Sequence, residues 1–215
     1  MGKLLKKELR LALHPTAPMF LLLSAMLLIP NYPYLVVFFY TGLAVFFTCL
    51  TGRENHDVEY TMLLPVSKRD VVKARMLLVV LLEMTQLLLA IPFAVLRQKL
   101  IPDPNAVGMD ANIALLAFAL VQMGLFNMVF FRTYYRDVQR VGISFLRASI
   151  ITFVYITLVE TTAHVVPFVR DILDTPDPAH MHEKLLTLAI GLLFFALITW
   201  MACRRAQTDF EKQDL

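Results

Sequence analysis

Charge is what this chain has least of. Asp, Glu, Lys and Arg make up 17% of its 215 residues, while 58% are hydrophobic and the mean hydropathy is +0.65. A water-exposed surface needs roughly a quarter of its residues charged, so a soluble globular fold is excluded and lipid must be the solvent for much of the chain. Cysteine is nearly absent too. Cys49 and Cys203 lie far apart, each near the end of an apolar run where a small hydrophobe packs well, which argues against a disulfide framework or a thiolate metal site. No GxxxxGK[ST] phosphate loop occurs, so ATP cannot be bound by that route and its hydrolysis would fall to a partner. HExxH and GxSxG are missing as well, and no Ser-His-Asp set follows from spacing. His180 and His182, with nearby Asp177, sit in a polar outer loop after Pro176 and Pro178 and read as solvated loop rather than as a metal centre. The expected inventory is therefore no catalytic residue, no metal and no cofactor bound by this chain.

What is present is a series of apolar runs near the ~20 residues that cross a bilayer. Four are plain: Met76–Leu96, Ala111–Phe131, Phe145–Phe168 and Leu185–Cys203. Ala17–Leu50 is too long for one span and is interrupted by Pro30, Asn31, Tyr32 and Pro33, a turn signal. Periodicity alone permits a tight hairpin of two short helices or one broken helix.

The basic residues choose between them, because Lys and Arg collect on the cytoplasmic side of short loops. With a hairpin, 16 of the 20 Lys and Arg residues fall inside: four before Ala17, five from Arg53 to Arg75, four from Arg132 to Arg147 and three after Cys203. The outside loops keep Arg97, Lys99, Arg170 and Lys184 among several aspartates. The reading is an all-α integral membrane protein, one transmembrane domain over 1–215, with spans at about 16–30, 33–51, 74–97, 111–131, 145–168 and 185–203 and both termini cytoplasmic. The clustered cations report topology rather than nucleic-acid binding.

No small-residue cleavage site follows Ile29, so the first apolar segment is expected to be retained. Within 1–14, Lys3, Lys6, Lys7, Arg10 and His14 recur at helical spacing opposite Leu5, Leu9, Ala12 and Leu13. That pattern suits an interfacial helix with its cations toward anionic headgroups; the plainer alternative is a charged flank that fixes orientation. Between the second and third spans the chain reads GRENHDVEYTMLLPVSKRDVVKAR, from Gly52 to Arg75. Glu54–Leu64 predicts a short helix with acids at its start and Val58, Met62 and Leu63 on one apolar face, ended by Pro65. Ser67 followed by Asp70 predicts a capped start for the next helix at Lys68.

These segments resemble the small permeases of type-2 ABC exporters. The resemblance rests on the basic MGKLLKKELRLAL start, the acidic opening of the first cytoplasmic loop, six spans, and above all LLPVSKRDVVKAR at Leu63–Arg75 just ahead of the third span. It implies that 53–73 is a coupling region, with Glu54, Asp57, Val58, Glu59, Met62, Leu63, Lys68, Arg69 and Lys73 contacting a separate ATP-binding cassette subunit. It further implies a bacterial plasma (inner) membrane location and a dimer with a second copy or a paralogous permease. ATP and Mg would be held by the partner ATPase, and the cargo would be a peptide, lipid or drug-like molecule. A plain cap on the cytoplasmic ends of the bundle is the alternative role for this loop.

Ionisable and polar groups inside spans are costly, and each is a functional candidate. Glu83 and Gln86 lie one turn apart in the third span. In the fifth, Thr157, Glu160, Thr161 and His164 form a polar stripe in which Glu160 can meet His164 four residues on. The stripe reads equally as a wall of the substrate route or a dimer interface, or as a pair that satisfies itself. Pro92, Gln122 and Asn127 read as packing features. Two rival functions remain: an intramembrane enzyme, which requires Glu83, Glu160 and His164 to converge, and a non-transporting scaffold or sensor, which tolerates their replacement. The topology is checked by labelling whole cells with a membrane-impermeant maleimide: Pro178→Cys should react from outside and Glu54→Cys only after permeabilisation, and the reverse pattern would invert the reading.

Overall fold

A computed structural model describes residues 2–101 and 103–213. Met1, at the head of the expected 1–14 segment, and the last two residues of the expected 1–215 domain lie outside the described residues. All regular structure among those described is helical. Helix α1 (Gly2–Lys7) continues as a π-helical turn over Glu8–Ala12. Helix α2 (Ala17–Leu22) tightens into a 3₁₀ segment, Leu23–Leu28. Then follow α3 (Leu35–Glu54), α4 (Asp57–Met62), α5 (Lys68–Leu100), α6 (Ile113–Tyr134), α7 (Val141–Val165), a π-helical turn over Val169–Leu173, and α8 (Met181–Glu211).

The local chemistry explains most boundaries. The Asp70 N–H donates to Ser67 Oγ at 3.1 Å, which starts α5, and the Leu115 N–H donates to Asn112 Oδ1 at 3.0 Å, which starts α6. Helix α7 stops at Val165, short of the expected residue 168. Pro167 disfavours helical backbone at the residue before it, and Val166 is extended. His56 adopts a left-handed conformation (φ 51°) that breaks the chain between α3 and α4. Glu54 is consequently the last residue of a long helix rather than the first of a short one.

Among the described residues, five helices are long and apolar enough to cross a membrane: α3, α5, α6, α7 and α8. The first expected span differs. Gly2–Ala12 and Ala17–Leu28 meet at 86°, so the basic segment runs nearly crosswise to the apolar one. With six α-helical and six 3₁₀ residues, Ala17–Leu28 reaches only about 21 Å, less than the ~30 Å of a hydrocarbon core. The protein is thus a multi-pass membrane protein whose first apolar element is short and set off by a sharp bend from the basic segment before it.

At its centre lies α6. In α3 and α6, 61% of the apolar stretch is buried, against 28% in α7 and 22% in α8, so the latter two carry most of the lipid-facing surface. Leu146, Ile150, Val154 and Leu158, four residues apart along α7, are exposed, which costs nothing where the solvent is hydrocarbon. Among the described residues two large apolar clusters fill the bundle, and a third, smaller one packs Ala17 and Phe20 of α2 against Ala44 of α3. Of the large pair, one holds the basic end and contains Phe126, Phe130, Phe131, Tyr134 and Tyr135 with Phe210 of α8; the other holds the opposite end around Tyr34, Phe38, Leu115 and Ile156.

Small residues set the spacing between α6 and α8. A Cβ on Gly191 would lie 2.7 Å from the Ala117 carbonyl oxygen, so only glycine permits this approach. Gly142 has nothing within 4 Å of such a Cβ. Gly191→Val should lower stability in detergent by about 1–3 kcal/mol through overpacking, while Gly142→Ala leaves it unchanged; thermal unfolding of both variants checks this.

Candidate functional site

The expected coupling segment lies at the basic end, and its charges serve the fold before they serve a partner. Arg75, 3% exposed, stands at the start of α5 between two carboxylates. Its Nε is ion-paired with Glu8 of the N-terminal segment, and its Nη2 lies 2.6 Å from Asp57 Oδ2 of α4. Lys7 completes the set, 2.5 Å from Asp57 and 3.1 Å from Glu8. Two cations and two anions therefore close on one another, a neutral cluster joining α1, α4 and α5. Asp57 is committed to this cluster rather than left on a docking rim. Lys7, expected on the outward cationic face, turns inward to it.

Helix α4 is braced from beneath by Val58, which is buried among Cys49, Val72 and Tyr134, and by the partly buried Met62. The expected single docking face of Val58, Met62 and Leu63 is thereby divided. Leu63 points away from the bundle and is 81% exposed, next to exposed Tyr60 and Leu64. His56, Glu59, Tyr60, Met62 and Leu63 line a depression of about 320 Å³. Glu59 pairs with His56 and accepts from Gln139 Nε2 at 3.2 Å. Beyond the turn at Pro65, Lys68 donates to the Gln213 carbonyl. Arg69 holds Glu211 through two bonds of 2.7 and 3.0 Å, while Lys73 stands 3.8 Å from Asp70. The start of α5 is thus fastened to the end of α8.

Within the membrane the polar candidates separate. Glu83 accepts from Asn127 Nδ2 at 3.0 Å, and the same amide reaches Thr199 Oγ1 at 3.4 Å, linking α5, α6 and α8. Gln86, wholly buried, finds no protein partner for either amide atom. The stripe on α7 is divided. Glu160 turns into the bundle and accepts from the Met109 N–H at 2.7 Å, entering space that a Cβ on Gly108 would occupy. Thr157, Thr161 and His164 stay exposed, the threonine hydroxyls bonding carbonyls four residues back. No ion pair forms between Glu160 and His164; the histidine contacts the Val107 carbonyl instead, at 3.3 Å. Glu83 and Glu160 serve different contacts, so the convergence an intramembrane enzyme requires is not found among the described residues.

The end opposite the basic one is also more built than its sequence suggests. Lys184 is fully buried, donating to Asp177 Oδ1 at 2.9 Å and the Thr175 carbonyl at 2.5 Å. Arg97 donates to the Tyr34 hydroxyl at 2.7 Å and to the carbonyls of Ile101 and Asp103. Asp177 is therefore consumed by an ion pair and by the Ile113 N–H at 3.1 Å.

Sequence reading passed over Glu8, Arg75, Tyr60 and Leu64. A signal existed for Glu8, the one acid before Glu54, set among the cations of the first segment.

In the loop after α7, Asp174 accepts from the Asp110 N–H at 2.6 Å. Burial, reinforced by the carboxylates of Asp110 and Glu160, pushes its carboxyl up to about 7 from an ordinary 3.8, against the pull of that N–H and of His164. The folded state then holds the proton more tightly than the unfolded chain. This contribution is complete below the ordinary value and lost as pH rises from 3.8 to about 7. Asp174→Asn should flatten that part of the stability-versus-pH curve, read by thermal unfolding across pH 4–8 (roughly the window of this shift).

One comparison identifies the chain. The sequence profile of a family described as ABC-2 family transporter protein matches residues 3–203. No curated protein and no solved structure matches. That profile runs from the basic first segment into α8, so it covers the Gly52–Arg75 loop and most of the bundle. The chain belongs to the ABC-2 type transporter permease family.

Proposed function

We propose that the chain is the membrane-spanning subunit of an ABC exporter, with both termini and the 53–73 loop on the cytoplasmic side of a bacterial inner membrane. Family membership supports a transport role and an ATP-binding partner subunit. The observation that carries the finer reading is the exposed apolar tip of α4, formed by Tyr60, Leu63 and Leu64 and carried on the buried Arg75 cluster. An isolated apolar tip in water is unfavourable; seated in a groove of a second protein it becomes an anchor, with Glu59 and His56 at its rim.

Motion of the partner would reach the bundle by three routes. Asp57 passes it through Arg75 to α5 and through Lys7 to α1, Val58 passes it to the aromatic cluster, and Arg69 passes it to α8 through Glu211. Short, stiff connections of this kind favour rigid-body tilting over local bending. Two ATP-binding subunits would bind ATP and Mg and close on each other, and two permeases, identical or paralogous, would frame the route. The exposed face of α7 with Thr157, Thr161 and His164 is open to the second permease. The cargo class, peptide, lipid or drug-like, follows from the resemblance.

Tagged protein purified from its native membrane should bring ATPase activity with it. Leu63→Asp should reduce that activity in the eluate by about tenfold or more, as loss of a buried anchor does, without shifting the unfolding temperature. Equal recovery with Leu63→Asp would remove the docking assignment; no ATPase activity with the native chain would remove the transporter reading.

A further inference from the structure

Midway through the bundle, four helices each turn one oxygen-bearing side chain toward the same point. Thr41 comes from α3, Glu83 from α5, Gln122 from α6 and Thr152 from α7; each is 2% exposed or less. They line one small cavity of about 10 Å³, walled otherwise by Phe38, Phe39, Gly42, Met123 and Phe126. That is the space a single water requires.

The hydrogen-bond accounting is unusual at this point. Eight threonines elsewhere (Thr48, Thr61, Thr85, Thr133, Thr157, Thr161, Thr187 and Thr208) donate to the carbonyl four residues back. Thr41 and Thr152 do not; both hydroxyls are buried without a protein partner. The Gln122 amide nitrogen donates to the Leu35 carbonyl at 3.1 Å, which leaves Oε1 as its free end, and that oxygen has no partner either. Glu83 spends one carboxyl oxygen on Asn127. In a membrane interior each such orphan is costly, and chance convergence of three in one cavity is a poor explanation.

The geometry points to a bound water at this junction. Two hydroxyls lack an acceptor and Gln122 Oε1 lacks a donor, and the Glu83 carboxyl lines the same space. Water alone among small guests does both: it accepts from Thr41 and Thr152 and donates to Gln122 Oε1 and Glu83, four bonds in all. A monovalent cation would satisfy the lone pairs and leave both hydroxyl hydrogens unpaired. The water is then a common fastener for α3, α5, α6 and α7, added to the direct bonds of Glu83 with Asn127 and of Gln122 with Leu35. It stands independently of the docking of α4.

The test uses the full chain in lipid nanodiscs. A structure at a resolution that shows waters should place density within hydrogen-bond reach of all four groups. Thr41 and Thr152 share no direct bond, so coupling between them reports the shared guest. Thr41→Val and Thr152→Val should each lower the folding equilibrium constant about fivefold, and the double variant by clearly less than the product of about 25-fold, because the first loss already releases the water. Thr41→Ser and Thr152→Ser keep the hydroxyl and should stay within about twofold of the native chain. Replacing sodium by N-methylglucamine should change nothing. Additive losses, a cavity without density, or stability that depends on sodium would each overturn the assignment.

Discussion

Arg75 is the side chain on which the basic end depends. A guanidinium cannot be neutralised by losing its proton in practice, and neither hydrocarbon nor the apolar interior offers it a partner, so once it is buried the fold must bring anions to it. Glu8 and Asp57 arrive from positions 67 residues before it and 18 residues before it, and Lys7 balances the surplus. This requirement folds the first segment back under α3 and α5 and fixes α4 against the start of α5. Taking one member out of such a cluster costs about 3–5 kcal/mol, chiefly because the remaining charges stay buried.

The opposite end uses the same logic with different partners. Arg97 and Lys184 are buried against carbonyls, a tyrosine hydroxyl and one carboxylate, which ties the ends of α5 and α8 to the loops between them. Between the two ends the polar contacts carry no basic side chain: Asn127 with Glu83, Gln122 with Leu35, and the threonines around the central cavity. The buried basic side chains thus lie toward the two ends, while the middle is held by amides, hydroxyls and the single Glu83 carboxyl.

Several of these features were legible in the sequence. Apolar run length found the long helices, and Ser67 with Asp70 marked where α5 begins. Interhelix hydrogen bonds from Gln122 and Asn127 were also foreseen as packing. Tertiary choices were not. A six-residue helix is too short for its periodicity to say which apolar residues face in, so Val58 and Leu63 looked equivalent and are not. The i to i+4 relation of Glu160 and His164 is real on the helix surface, yet Gly108 admits the carboxyl to the Met109 N–H, a backbone donor no spacing rule reveals. The convergence of Glu8 and Asp57 on Arg75 is a long-range event that only the fold determines.

The short Ala17–Leu28 element has a consequence for the bilayer beside it. Its reach of about 21 Å falls roughly 9 Å short of the hydrocarbon thickness, while Met19, Leu22 and Ile29 still present apolar surface outward. An apolar flank this short matches a bilayer only where the hydrocarbon is locally thinned or where the chain turns back before the far side. Either way, lipid beside Ala17–Leu28 meets a shorter apolar wall than it does along α7 and α8.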